Sequence, residues 1–219
     1  MLALFPPISA EFSPWRKPLI GSIFISLCFF GSLAALLPIQ CSRIFRNKKR
    51  NKNSKQDPFL HSISKGMEGH HPSCGKFNLH IFNIKNRVLC AACAGLFIGG
   101  VTTIVGSFFY FLTSWIVLQN GILFVILGIL GVSFGFFQQW FGSLIRLSLN
   151  FVFVLGSFFI LIGIDKIIQS LIIDLFVISL IFFWLFTRIS LSHWDHETIC
   201  SNCTVVNCEF IIKKNGGKI

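Results

Sequence analysis

Apolar residues fall into long, unbroken runs along this chain, with neither the alternation of a strand nor the stripe of a surface helix. Leu19 to Ile39, Ala94 to Leu118 and Gly121 to Phe137 contain no Asp, Glu, Lys or Arg. From Leu147 to Thr187 the chain is apolar over twice such a length, and its charged residues, with Gln169, cluster at Asp165-Lys166 and Asp174. A bilayer core about 30 Å thick is crossed by roughly 20 helical residues. The first three runs therefore predict one span each, and the fourth predicts two that turn near residues 164–170. Open strands are excluded, because their unpaired backbone groups have no water to bond in hydrocarbon. A transmembrane barrel would alternate apolar and polar positions. The expected fold class is all-α, a polytopic membrane helix bundle of about five transmembrane helices.

Composition supports lipid as the solvent. A chain of 219 residues with 53% hydrophobic residues, 27 phenylalanines and 12% charged residues has too little polar surface for a water-soluble domain. The first run has an alternative reading as a signal peptide, since Arg16 and Lys17 precede an apolar stretch ending at Pro38-Ile-Gln-Cys41. It is longer than the roughly 7–15 residues of a signal core, and Gln40 is a poor neighbour for cleavage or for lipidation of Cys41.

Charge orients the bundle. With five spans, one face holds the 40–93 loop, the turn at Arg146 and the 188–219 tail, and these carry 16 of the 19 basic residues, all but Arg16, Lys17 and Lys166. Basic residues stay on the cytoplasmic side of short loops. The chain is expected in the cell membrane with its N-terminus outside and its C-terminus cytoplasmic. The layout is an extracytoplasmic segment 1–18, helix 1 at 19–39, a flexible basic linker at 40–65, a Cys/His loop at 66–93, helices 2–5 over 94–187 and a Cys/His tail at 188–219. The net charge of +11 follows mostly from this arrangement. The cluster from Arg43 to Lys55 lies just after a helix, where anionic lipid is its expected partner at about 1 kcal/mol per basic residue. No aromatic residues interleave with its lysines as base-stacking platforms do, so nucleic acid is not expected.

Six of the eight cysteines, all but Cys28 within the first run and Cys41 just past its end, lie in His70-His71-Pro-Ser-Cys74, Cys90-Ala-Ala-Cys93 and Cys200-Ser-Asn-Cys203-Thr-Val-Val-Asn-Cys208. Four crossings separate the two Cys-x-x-Cys pairs, and an even number returns both to one face. A Cys-x-x-Cys turn lets two thiolates converge on a tetrahedral ion at about 2.3 Å, with a distant Cys or His pair completing the shell. The candidate ligands are His70, His71, Cys74, Cys90, Cys93, His196, Cys200, Cys203 and Cys208, with His80 and His193 as further donors. They can be grouped as two local sites or as one site joining both pairs, and spacing alone leaves both open. Zinc suits thiolate with imidazole in a reducing compartment, and an iron–sulfur cluster is the lesser alternative. The competing class is a membrane thiol/disulfide oxidoreductase using the same pairs. No Ser-His-Asp order, HExxH, phosphate loop or haem-attaching Cys-x-x-Cys-His occurs, so no catalytic residue is assigned and a structural or interaction role is favoured.

The segment His70-His-Pro-Ser-Cys-Gly-Lys-Phe-Asn-Leu-His80, ending in Leu89-Cys-Ala-Ala-Cys-Ala-Gly-Leu-Phe-Ile-Gly99, resembles a family of small prokaryotic membrane proteins of unknown function. Its members carry a Cys or His element followed by Cys-x-x-Cys entering a Gly-rich transmembrane helix. Phe137-Gln-Gln-Trp140 and Arg146 to Gly156 look similar to a later Gln-containing block and an Arg before another Gly-containing helix. The likeness covers about residues 70–160. Ala91-Ala92 and Gly135-Phe136 depart from the Arg and the acidic residue that members often show there. The resemblance implies a membrane protein with a metal-binding loop and no established activity.

Polar residues inside the spans need an account, because a carboxylate at the bilayer centre costs about 2.5–3.5 kcal/mol. Asp165, beside Lys166, is expected in a solvated outer turn, with Asp174 deeper and reaching Lys166 or water. Gln138, Gln139 and Arg146 are expected at the interface beside Trp140. Gly95-x-x-x-Gly99 and Gly131-x-x-x-Gly135 suggest close packing between the second and third helices.

Overall fold

The computed structural model describes residues 14–36, 80–84, 87–113 and 120–201. Five apolar helices dominate them: α1 (Arg16–Leu36), α2 (Ala91–Ser107), α3 (Gly121–Phe136), α4 (Ser143–Ile168) and α5 (Leu171–Ser201). A short antiparallel hairpin, β1 (Ile81–Ile84) and β2 (Arg87–Cys90), leads into α2, with Ile81 opposite Cys90. Helix α2 extends through a wider π-helical turn, Phe108–Leu112, and α3 ends in a tight turn at Phe137–Trp140. Four stretches are long and apolar enough to cross a membrane, Arg16–Ala35, Ala91–Leu112, Ser143–Ile168 and Leu171–Ser192. The fifth, α3, has 16 residues, about 24 Å of helix.

The outward faces are apolar. Phe30, Ile122, Phe134, Leu144, Ile172 and Phe183 are all exposed. Asn150, Asp165, Asp174, Arg146 and Arg188 are buried. A water-soluble bundle would reverse that distribution, whereas lipid solvates such a surface and drives charge inward. The chain is built as a membrane protein.

Helix α4 is the axis. Gly128 of α3 lies so close to it that a Cβ there would sit 2.6 Å from the carbonyl oxygen of Gly156, and a Cβ on Gly163 would sit 2.7 Å from that of Gly121. On its other side α4 meets α2, where a Cβ on Gly99 would press on Val154 and one on Gly106 on Phe158. The two glycine motifs thus face α4, and not each other as their spacing suggested. On the α3 side α4's own Gly156 and Gly163 open a face to backbone approach, and on the α2 side the glycines of α2 do so. The core of Phe24, Phe111, Phe153, Phe158, Leu161 and Ile178 fills the space among α1, α2, α4 and α5.

Successive helices run in opposite directions. Gly21 of α1 meets Phe111 at the end of α2, and Gly121 at the start of α3 meets Ile167 at the end of α4. The chain reverses between α4 and α5 at Gln169, whose left-handed backbone (φ 52°) caps α4 by donating its N–H to the Asp165 carbonyl at 3.2 Å. This is the turn expected at residues 164–170. Boundaries differ elsewhere. Helix α1 begins at Arg16, before Leu19, and α2 begins at Ala91, which puts Cys93 inside the helix. Helix α5 continues past Thr187 to Ser201, so the first part of the expected tail is helix. Its 31 residues span about 46 Å, longer than a bilayer core of roughly 30 Å.

Candidate functional site

Charged and amide side chains concentrate at the two ends of the bundle. At one end the hairpin folds back so that Ala91 N donates to the His80 carbonyl at 2.9 Å, which tucks the His80 ring beneath the start of α4. Arg146 Nη1 lies 2.6 Å from His80 Nδ1 and 3.8 Å from Asp195 Oδ2. If Nδ1 accepts from the guanidinium, the ring proton sits on Nε2, which faces Asp195 Oδ2 at 3.9 Å. Arg146 therefore ties three distant segments, the hairpin, α4 and the part of α5 beyond Ser192.

One turn deeper, Asn150 is fully buried and bonded on both sides of its amide. Its Nδ2 donates to Gln138 Oε1 at 2.6 Å and to the Arg146 carbonyl, and its Oδ1 accepts from Arg188 Nη2. The Arg188 guanidinium is also 5.9 Å above the Phe153 ring. Gln138 and Arg146 are thus buried, not interfacial as expected. Interhelical pairing satisfies them better than snorkelling would, because Asn150 and His80 lie within reach inside the bundle.

Cys90 and Cys93 belong to this end. Cys90 is buried and occupies the cap position of α2, and Cys93 is half-buried in its first turn. Both interact electrostatically with Arg188, and Cys90 also with Arg146. Four successive antiparallel helices, α2 to α5, bring the end of α5 back to the Cys90 end of the bundle. Of the other candidate ligands, His196 and Cys200 lie on α5 beyond Asp195, and only their backbone is described. His70, His71, Cys74, Cys203 and Cys208 lie outside the described residues. Among the described residues no group of three His, Cys, Asp or Glu side chains is placed to hold a metal. His80, considered as a donor, is engaged through Nδ1 by Arg146.

The opposite end holds a second cluster. Arg16 Nη1 contacts both Asp165 Oδ1, at 2.6 Å, and Asp174 Oδ2, and Tyr110 donates its hydroxyl to Asp165 Oδ2 at 2.8 Å. The relative exposures of Arg16, Asp165 and Asp174 are 6%, 1% and 0%. Asp165 is not the solvated turn residue its neighbour Lys166 suggested. The helix phase turns Lys166 outward and Asp165 inward, toward an arginine almost 150 positions upstream. The π-helical turn at Phe108–Leu112 supplies Tyr110, since the added residue re-aims the end of α2 at the bundle interior.

No family model, curated protein or solved structure matches this chain. Its chemistry is therefore argued from its own residues. The Cys90 end offers cysteine thiols beside two guanidinium groups at a helix N-terminus, which is a setting for metal ligation or thiol exchange. The Arg16 end offers two carboxylates on one cation inside the bundle, which is a setting for proton binding.

Proposed function

We propose that this chain is a multi-pass protein of the cell membrane, N-terminus outside and C-terminus cytoplasmic, whose cytoplasmic end carries one or two Cys/His zinc sites. The role is structural or interactive. Its ligands come from His70, His71, Cys74, Cys90, Cys93, His196, Cys200, Cys203 and Cys208. The observation that carries the reading is the Arg146 contact with both His80 and Asp195, which holds the hairpin leading to Cys90 against the helix leading to Cys200. Cys200 follows Asp195 by about 7.5 Å of helix. Thiolate-rich zinc carries net negative charge, and Arg146 and Arg188 supply the offsetting charge beside Cys90. The orientation rests on the excess of basic residues in the 40–93 and 188–219 segments, and the cluster from Arg43 to Lys55 then meets anionic lipid.

The position of Cys90 at a helix N-terminus beside arginines also favours a second reading, thiol/disulfide exchange by the Cys-x-x-Cys pairs. Elemental analysis and intact mass of the full chain, purified in detergent without chelator, separate the two. Stoichiometric zinc supports the metal site, and iron with labile sulfide supports a cluster in its place. A metal-free chain whose mass shifts on reduction and alkylation supports the redox reading and overturns the zinc proposal.

A further inference from the structure

The Arg16 cluster plays no part in the cysteine chemistry and lies at the other end of the bundle. Its charges do not balance. One guanidinium faces two carboxylates, and both carboxylates touch the same nitrogen, Nη1 of Arg16. Two oxygens bonded to one nitrogen are no more than about 6 Å apart. At that separation two negative charges shielded from water repel strongly. Asp165 accepts the Tyr110 hydroxyl on Oδ2, and its Oδ1, though without a hydrogen bond, stands in ion-pair contact with Arg16. Asp174 is less well provided. Its Oδ2 meets Arg16, but its Oδ1 is buried and has no hydrogen-bond partner among the described residues.

Among the described residues, the other charged groups facing the cluster are few. From α1, the Lys17 ammonium stands 5.2 Å from the Tyr110 ring centroid, over its face and not on a carboxylate. From α4, Lys166 points outward and is exposed. Helix α3 carries no ionisable residue, and the π-helical turn supplies only Tyr110. Among the described residues an uncompensated negative charge therefore remains if both aspartates are ionised, within a setting where burying a lone charge is costly.

We propose that Asp165 and Asp174 form a proton-binding site, holding one exchangeable proton between them at neutral pH, with the proton on the Asp174 side of the pair. Protonation makes the buried triad neutral: Arg16 positive, Asp165 negative, Asp174 uncharged. Access is short. Asp165 lies one helical turn before the exposed Gln169, Asp174 lies in the first turn of α5, and Arg16 follows the exposed Trp15. The proton is taken from and returned to the aqueous phase at that end, and release leaves a second carboxylate facing Asp165, which adds repulsion between α4 and α5.

Infrared spectroscopy of the full chain in lipid nanodiscs tests this directly, through the carbonyl stretch of a protonated carboxylic acid. Near neutral pH the spectrum should show one such band, which aspartate-selective ¹³C labelling shifts and which disappears at alkaline pH. The Asp174→Asn chain, which keeps the size and neutrality of the protonated acid, should fold and lack the band. Absence of any protonated carboxyl band near neutral pH in the unmutated chain overturns the proposal, as does a band that labelling of aspartate fails to move. The first two readouts need no variant, so a misfolded Asp174→Asn chain does not decide the outcome.

Discussion

The guanidinium of Arg188 donates to Oδ1 of Asn150 across the contact between α5 and α4, and the same amide donates to Gln138 and to the Arg146 carbonyl. Asn150 is fully buried, so none of these partners can turn to water when it is removed. A buried group left unpaired costs about 1–3 kcal/mol, and more when it is charged. Asn150→Ala should therefore lower stability by at least that amount, read as a fall in the thermal midpoint of the detergent-solubilised chain. An unchanged midpoint would mean that water or lipid headgroups already serve Arg188.

Asp195 contributes differently, although it touches the same network. It is half-exposed, and its oxygens stand 3.8 Å from Arg146 and 3.9 Å from His80, distances of ion pairing and not of a tight hydrogen bond. Exposed or partly exposed pairs are worth roughly 0–1 kcal/mol and are screened by salt. Asp195→Asn should leave the midpoint nearly unchanged but speed hydrogen exchange over the end of α5, and high salt should reproduce that effect in the unmutated chain. Faster exchange throughout α4 would contradict a local clasp.

The helices and their turn were legible in the sequence because hydropathy is a local property. Runs free of charge mark the spans, and the break at Asp165, Lys166 and Gln169 marks the reversal that Gln169 executes. The even count of helices between them likewise placed Cys90 and the end of α5 at one end of the bundle. The environment of the polar residues was not legible. Asp165 and Lys166 look alike as a pair of turn charges, yet a single residue step on a helix separates an inward carboxylate from an exposed ammonium. The partner that decides their fate, Arg16, belongs to another helix, and no local pattern encodes that pairing. Gln138 and Arg146 were misplaced at the interface for the same reason, since Asn150, Arg188 and His80 converge on them only after packing.

Close backbone approach between α3 and α4 makes a second class of substitution informative. A Cβ at Gly128 would lie 2.6 Å from the Gly156 carbonyl oxygen and equally near Ile160, whereas one at Gly31 meets nothing within 4 Å. Overpacking costs about 1–3 kcal/mol and forces neighbouring elements apart. Gly128→Val should thus lower the thermal midpoint and the yield of folded protein. Gly31→Ala should be neutral or stabilise α1 by about 0.5–1 kcal/mol through helix propensity. Equal effects at the two positions would show that α3 does not sit this closely on α4.

Metal removal should act on one end of the molecule only. Asp165 is about 28 Å along α4 from Arg146, and the apolar core of Phe153, Phe158 and Leu161 lies between them. A structural zinc contributes about 10–16 kcal/mol of apparent binding free energy in small peptides, and it orders segments that lack a core of their own. Treating the holoprotein with a strong chelator should increase hydrogen exchange over the hairpin, the first turn of α2 and the part of α5 beyond Ser192. Exchange around Tyr110, Asp165 and Asp174 should stay as it was, because their contacts close within the opposite end of the bundle. Cys90→Ser with Cys93→Ser should give the same pattern without chelator. Loosening at both ends, or at neither, would separate the cysteines from the cohesion of the Arg146 end and remove the structural role assigned to the metal.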